Sequence, residues 1–169
     1  FWRSESFLNK QSSEIIESFD IQMSIISTRI FRRRRRAILK IKPYIEYWHN
    51  HLSKSKEQVG INYLSGIQNI IPEEEEEQVI SKKIVEQLFN QRSIEALTGK
   101  CNFGPHRDDI DFLINDMSVR KYGSSGQQRT FILALKMAEL DLLTKTLDVP
   151  PILILDDVLA ELDITRQNL

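Results

Sequence analysis

Four aliphatic residues in a row, Ile152-Leu153-Ile154-Leu155, run straight into Asp156-Asp157. An unbroken aliphatic run of this length suits a strand buried on both faces, the kind that builds parallel sheets. Upstream, Thr130 to Leu147 is apolar on most sides, with Phe131, Leu135, Ala138 and Leu142 along one face and Leu133, Met137 and Leu140 along another. A helix apolar nearly all round is expected to be buried. Loop, buried helix and buried strand together predict α/β organisation. Two carboxylates at the C-terminal edge of a central strand stand where open α/β sheets bind ligands. One carboxylate there suits Mg²⁺, which takes one or two carboxylates plus water and substrate phosphates. The other can orient or deprotonate an attacking water. The plainer alternative is a strand that ends in two solvated aspartates.

Before the apolar helix lies Gly123-Ser124-Ser125-Gly126-Gln127-Gln128-Arg129, with Gly123 to Gly126 expected as a small-residue loop. A helix N-terminus offers unpaired amides and the positive end of the macrodipole. Glycine and serine let a phosphate approach those amides closely. A serine N-cap after a turn is the plainer alternative.

The first part of the chain reads as helical to about residue 57. Met23, Ile26, Ile30, Ala37, Ile41 and Ile45 recur at steps that place them on one helix face, with Pro43 as a candidate kink. Val59 to Leu64 reads as a short strand. Glu73 to Glu77 suits the first turn of a second helix, which Ile80, Ile84, Val85 and Leu88 carry to about Arg92. Gly99 closes a following turn, and Ile110 to Ile114 is a second strand.

Composition narrows the remaining classes. The chain has 169 residues, 41% hydrophobic, with 23 basic and 24 acidic side chains. This near-balance makes net charge uninformative about partners, so its distribution matters instead. A single cysteine, Cys101, excludes an internal disulfide framework and fits a reducing compartment. It is expected to be a small, at least half-buried side chain. No apolar run is long enough to span a bilayer, and no signal peptide is recognisable.

Taken together the motifs resemble ABC-type ATPases, in which a signature loop and helix precede a Walker B strand. Ser124, Gly126 and Gln127 match the Leu-Ser-Gly-Gly-Gln signature, whereas Gly123 and Ser125 depart from it. Gly104-Pro105-His106-Arg107-Asp108-Asp109, Ser124 to Thr130, Leu133 to Leu140 and Asp156 to Asp163 narrow the likeness to the RecF family of bacterial recombination mediators, related to SMC-like heads. The resemblance implies the C-terminal part of an ABC-type ATPase head of P-loop NTPase fold, at residues 99–169, preceded by a mainly α-helical lobe at residues 1–98. It implies that Ser124, Ser125, Gly126, Gln127 and Gln128 face nucleotide bound by a second subunit. It also implies that Asp156 holds Mg²⁺, that Asp157 is catalytic, and that Ala160, Glu161, Leu162 and Asp163 form the D-loop.

A complete phosphate loop is absent from the sequence. The only Gly-Lys is Gly99-Lys100, and the glycine required five positions earlier is Ile94. The expectation is a piece of a longer protein whose phosphate loop and switch histidine lie outside it. That protein is expected to be a weak ATPase, and this piece alone inactive. By resemblance it is a cytoplasmic, non-membrane protein of DNA replication, repair, recombination and the SOS response. It binds ATP and DNA (single-stranded, duplex and gap junctions), forms an ATP-dependent homodimer, and loads recombinase with mediator partners.

Arg32, Arg33, Arg34, Arg35 and Arg36 are candidate DNA contacts, since a basic segment neutralises phosphates. Successive helical residues point about 100° apart, so all five cannot line one groove. The alternative is a solvated stretch paired with Glu73 to Glu77. His106 and Arg107 occupy a Gly-Pro turn, either as a head-interface contact or as structure, with Arg107 paired to Asp108 or Asp109. Two other functions stay open. One is a metal-dependent nuclease or phosphotransferase using Asp108, Asp109, Asp111, Asp156 and Asp157. The other is a non-catalytic DNA-binding module.

Overall fold

The computed structural model describes residues 10–54, 57–66, 76–147 and 151–154. Its elements run α1 (Lys10–Ser53), β1 (Val59–Leu64), α2 (Glu77–Thr98), β2 (Asp109–Ile114), β3 (Met117–Ser118), α3 (Val119–Tyr122) and α4 (Ser125–Thr146). They form two compact units, Phe1–Arg35 with Leu64–Asp109 and Arg36–Tyr63 with Ile110–Leu169. These units reflect packing and are a different partition from the expected lobes at 1–98 and 99–169. Helix α1 contributes to both and continues through Pro43.

The first unit is built on the early part of α1 and on α2. Phe31, Ile80, Ile84, Leu88 and Phe103 are buried, together with Ser24, Ser27 and Thr28. Those hydroxyls are mostly accounted for within the unit. Ser24 Oγ donates to the Ile21 carbonyl at 2.8 Å and meets Ser81 Oγ of α2 at 2.9 Å, and Thr28 Oγ1 donates to the Ser24 carbonyl at 2.7 Å. The buried row of α1 therefore runs Ser24, Thr28, Phe31 in this unit and Ile45, His49, Leu52 in the other. Of the expected stripe, Ile45 is buried, but Ile26 is 53% exposed and Ala37 is exposed. An apolar pattern picks the wrong row where the buried positions carry hydroxyls. Helix α2 runs past Arg92 to Thr98, where Gly99 at φ 66° stops it and donates its N–H to the Glu95 carbonyl.

The second unit holds the sheet, order β1-β2-β3, with only the strand ends Leu64 and Asp109 falling outside it. Strands β2 and β3 are antiparallel, pairing Leu113 with Ser118 and Ile114 with Met117. Between them Asn115 and Asp116 both have positive φ, 50° and 63°, as a two-residue type I′ turn requires. Ile45, Val59, Ile114, Val119, Phe131 and Ala138 make the core, flanked by Ile41, Tyr44, Trp48, Ile61, Phe112 and Leu135. A second cluster joins Leu52, Leu133 and Ala134.

Two expectations change. Helix α4 is buried on one side only: Phe131, Leu133, Ala134 and Ala138 are inside, whereas Ile132 and Leu143 are exposed. Residues 151–154 form no strand, with Ile152 and Ile154 exposed at 89% and 86%. An interior strand needs hydrogen-bonding neighbours on both sides, and the described three-stranded sheet does not include this segment. Leu155 and everything after it lie outside the described residues.

Candidate functional site

The signature residues sit at the start of α4, and the helix begins earlier than a loop over Gly123 to Gly126 would allow. Ser124 is the N-cap, so Ser125 and Gly126 already belong to the first turn. The reason is a capping box. Ser124 Oγ accepts the Gln127 N–H at 3.2 Å, and Gln127 Oε1 accepts the Ser124 N–H at 3.0 Å. The Gln128 N–H bonds the Ser124 carbonyl at 2.9 Å, and its side-chain amide donates to the carbonyls of Val119 and Gly123.

Two amides remain. The N–H groups of Ser125 and Gly126 have no partner among the described residues. A methyl group added at Gly126 would meet nothing within 4 Å among the described residues, so the first turn is uncrowded on that side. The Ser124 hydroxyl accepts a bond and donates none among the described residues, leaving its hydrogen available. Two bare amides, a hydroxyl donor and the positive end of a 22-residue helix can receive one anionic group. Gly123 contributes differently: a Cβ there would lie 2.6 Å from the Val119 carbonyl oxygen. Its departure from the leucine of the ABC signature thus follows from the short helix α3 packed beneath it, an element that the sequence reading missed.

A residue outside every expected site also touches this turn. Gln127 Nε2 donates to Glu57 Oε1 at 3.1 Å, and Glu57 Oε2 lies 3.6 Å from Nε2 of fully buried His49. The Ser-x-x-Gln spacing signals the capping box in sequence, but nothing there points to Glu57, which lies 70 positions from Gln127.

Asp156, Asp157 and Ala160, Glu161, Leu162 and Asp163 lie outside the described residues. Among the described residues no three His, Cys, Asp or Glu side chains gather to hold a metal. Asp108 is engaged by Arg34 and by the Gly66 N–H, and Asp111 accepts from Ser118 Oγ at 2.8 Å. The aspartate cluster expected for a nuclease is therefore not assembled by Asp108 and Asp111, whose carboxylates serve structure.

The arginine run is mostly committed to the protein. Arg32 pairs with Glu77 at 2.8 Å, and Arg29 reaches the same carboxylate at 3.8 Å. Arg34 donates to the Pro105 carbonyl at 2.6 Å and to Asp108 at 3.0 Å, where the Asp108 side chain is only 6% exposed. Arg35 lies over the Phe31 ring. Arg33 is exposed and has no ion-pair or hydrogen-bond partner among the described residues.

Arg107 pairs with neither Asp108 nor Asp109 as expected. Its Nε and Nη2 both donate to the Cys101 carbonyl, and Asp108 is held by Arg34. Cys101 itself is exposed rather than half-buried. Its thiol pKa is raised, first by desolvation and then by the Glu95 charge, which disfavours the nucleophilic thiolate. Trp48 packs at the core edge and donates its indole N–H to Asp141 at 2.7 Å.

No family model matches the chain. It is 44% identical over 168 residues to the DNA replication and repair protein RecF of Synechococcus sp. (strain CC9605), covering 99% of this chain and 46% of that relative. The protein of the same name from Synechocystis sp. (strain ATCC 27184 / PCC 6803 / Kazusa) is 38% identical over 167 residues, again 99% of this chain and 43% of the relative. Among solved structures, the recombination mediator protein RecF-ATP of the RecFOR pathway aligns with TM-score 0.81 at 32% identity, over 92% of this chain and 40% of that one. The RecF-ATPrS structure of the same pathway gives TM-score 0.82 at 32% identity, over 94% and 42%. The chain spans about half the length of the curated relatives it matches. Its fold is an α/β part of an ABC-type ATPase head with a mainly helical portion before it, and the chain belongs to the RecF family.

Proposed function

We propose that the protein carrying this chain acts in DNA replication, repair and recombination, and that its signature turn grips nucleotide held by a second copy of itself. The observation that carries the reading is the capped start of α4. It leaves the Ser125 and Gly126 amides without a partner among the described residues, on a chain 44% identical to a RecF protein. ATP fits this arrangement. Ser124 Oγ donates to the terminal phosphate, the Ser125 and Gly126 amides face it, and Gln127 and Gln128 hold the turn. When bound, Mg²⁺ neutralises phosphate charge. Asp156 is its proposed ligand and Asp157 the proposed water-positioning base, both on resemblance, with Ala160 to Asp163 as the D-loop.

ATP then drives dimerisation and DNA binding, and hydrolysis releases the clamp. Residues 1–98 form the helical lobe and 99–169 the share of the ATPase lobe present here. Among the candidate arginines Arg33 is the leading DNA contact, because Arg32 and Arg34 are held by carboxylates. Recombinase loading at gaps with mediator partners and a cytoplasmic location belong to the same reading. Among the described residues no helix is long and apolar enough to cross a membrane.

The test uses the full-length protein and light scattering. Ser124→Arg fills the phosphate position with a long side chain and is expected to abolish ATP-driven dimerisation. Dimerisation at the wild-type protein concentration would end the reading.

A further inference from the structure

The signature turn is not held by α4 alone. The Gln127 carboxamide that closes the capping box has its other end on Glu57, at 3.1 Å. A carboxylate only accepts hydrogen bonds, so Glu57 selects the orientation with the amide nitrogen towards itself. That choice puts Gln127 Oε1 against the Ser124 N–H, at 3.0 Å. The reversed amide would set oxygen against oxygen at Glu57 and nitrogen against nitrogen at Ser124.

Glu57 is itself anchored. Its neighbour Gln58 exchanges two bonds with Asn115 in the turn between β2 and β3. The Gln58 N–H donates to Asn115 Oδ1 at 2.9 Å, and the Asn115 N–H donates to the Gln58 carbonyl at 2.8 Å. Val59, the next residue, lies in the core. Behind the carboxylate stands His49, fully buried, with Nε2 3.6 Å from Glu57 Oε2 and its ring 5.8 Å from that of Phe131 in α4. Glu57 is thus partly buried, with its carboxylate bonded to Gln127 and the backbone beside it held by Asn115.

We infer that Glu57 is a positioning residue for the signature turn. It touches no nucleotide. It fixes Gln127, Gln127 fixes the Ser124 backbone and accepts nothing from its hydroxyl, and the hydroxyl hydrogen is thereby left to point outward beside the Ser125 and Gly126 amides. Donors preset in this way need no rearrangement when the anionic group arrives. The inference rests on the proposed nucleotide-facing role of the turn.

The experiment compares full-length wild type with Glu57→Ala, Glu57→Gln and Ser124→Arg. It measures the protein concentration for half-maximal ATP-driven dimerisation, ATP binding by the monomer with a fluorescent analogue, and the thermal midpoint. Outer partners that orient metal ligands contribute about tenfold or more, and by that measure a rise of about tenfold is expected for Glu57→Ala. Monomer ATP binding and the thermal midpoint stay at wild-type values. Glu57→Gln keeps an acceptor oxygen facing Gln127 and restores dimerisation to near wild type. The inference is overturned if Glu57→Ala dimerises like wild type, if its defect comes with an equal loss of ATP binding or stability, or if Glu57→Gln is no better. If Ser124→Arg itself still dimerises, the nucleotide-facing reading falls and this one with it. If Ser124→Arg fails to dimerise while Glu57→Ala matches wild type, only the positioning role of Glu57 falls.

Discussion

The two compact units solve the same packing problem with different chemistry. In the second, aliphatic and aromatic side chains close a continuous core around Ile45, Val59, Ile114 and Phe131. In the first, α1 presents Ser24, Ser27 and Thr28 where the other unit has Ile45, His49 and Leu52, and hydroxyl bonds and ion pairs take a larger share. Asp20 with Arg92 at 2.6 Å and Asp108 with Arg34 at 3.0 Å belong to that unit. Apolar burial is non-directional and carries no charge for salt to screen, whereas buried polar contacts stabilise only while every partner is in place. The first unit should therefore be the one whose stability depends on salt and on single polar groups.

The largest expected effect is on the apolar side of this comparison. Phe131→Ala removes a ring that packs on Phe112 at 4.9 Å, and the second unit should lose about 3–5 kcal/mol. Hydrogen exchange read by mass spectrometry should show α4 amides opening far sooner, with α2 amides little changed. Equal acceleration in both helices would mean that the units do not differ in what holds them.

Next in size is Arg34→Ala. It takes the charged partner from the nearly buried Asp108 carboxylate, which keeps the Gly66 N–H, and frees the Pro105 carbonyl, at a cost of about 1–3 kcal/mol. The loss should appear in α2 and its surroundings and shrink as salt rises. A loss indifferent to salt would point to packing by the arginine stem instead.

The smallest change sharpens the contrast most. Ser27 Oγ is buried without a hydrogen-bond partner among the described residues. Removing an unsatisfied hydroxyl is near neutral or stabilising, by about 1 kcal/mol at most. Ser27→Ala should thus leave the urea midpoint of the first unit unchanged or raised, and a clear drop would reveal a bond that this geometry does not contain.

The same contrast explains what could be read from sequence. Strands β1 and β2 and helices α2 and α4 are legible because their apolar positions recur at the right spacing. The register of α1 is not legible where its buried face carries serine and threonine, since no hydropathy pattern marks a hydroxyl that bonds its own backbone. The signature turn is legible as a motif, and its helix start is marked by the Ser-x-x-Gln spacing rather than by glycine and serine content, which suggests a loop over Ser125 and Gly126. Glu57 is invisible for a different reason: its role exists only once the start of β1 and the start of α4 are brought together. The aliphatic run at Ile152 has the local pattern of an interior strand, but strand formation is decided by neighbours, and residues 151–154 have none in the described sheet.

Gly123 carries one more implication. Its α-carbon faces the Val119 carbonyl so closely that no methyl fits, although its φ of −68° suits any residue. Divergence at this position is thus coupled to α3. A leucine ahead of the signature serine would require the Val119 carbonyl, and with it that four-residue helix, to shift.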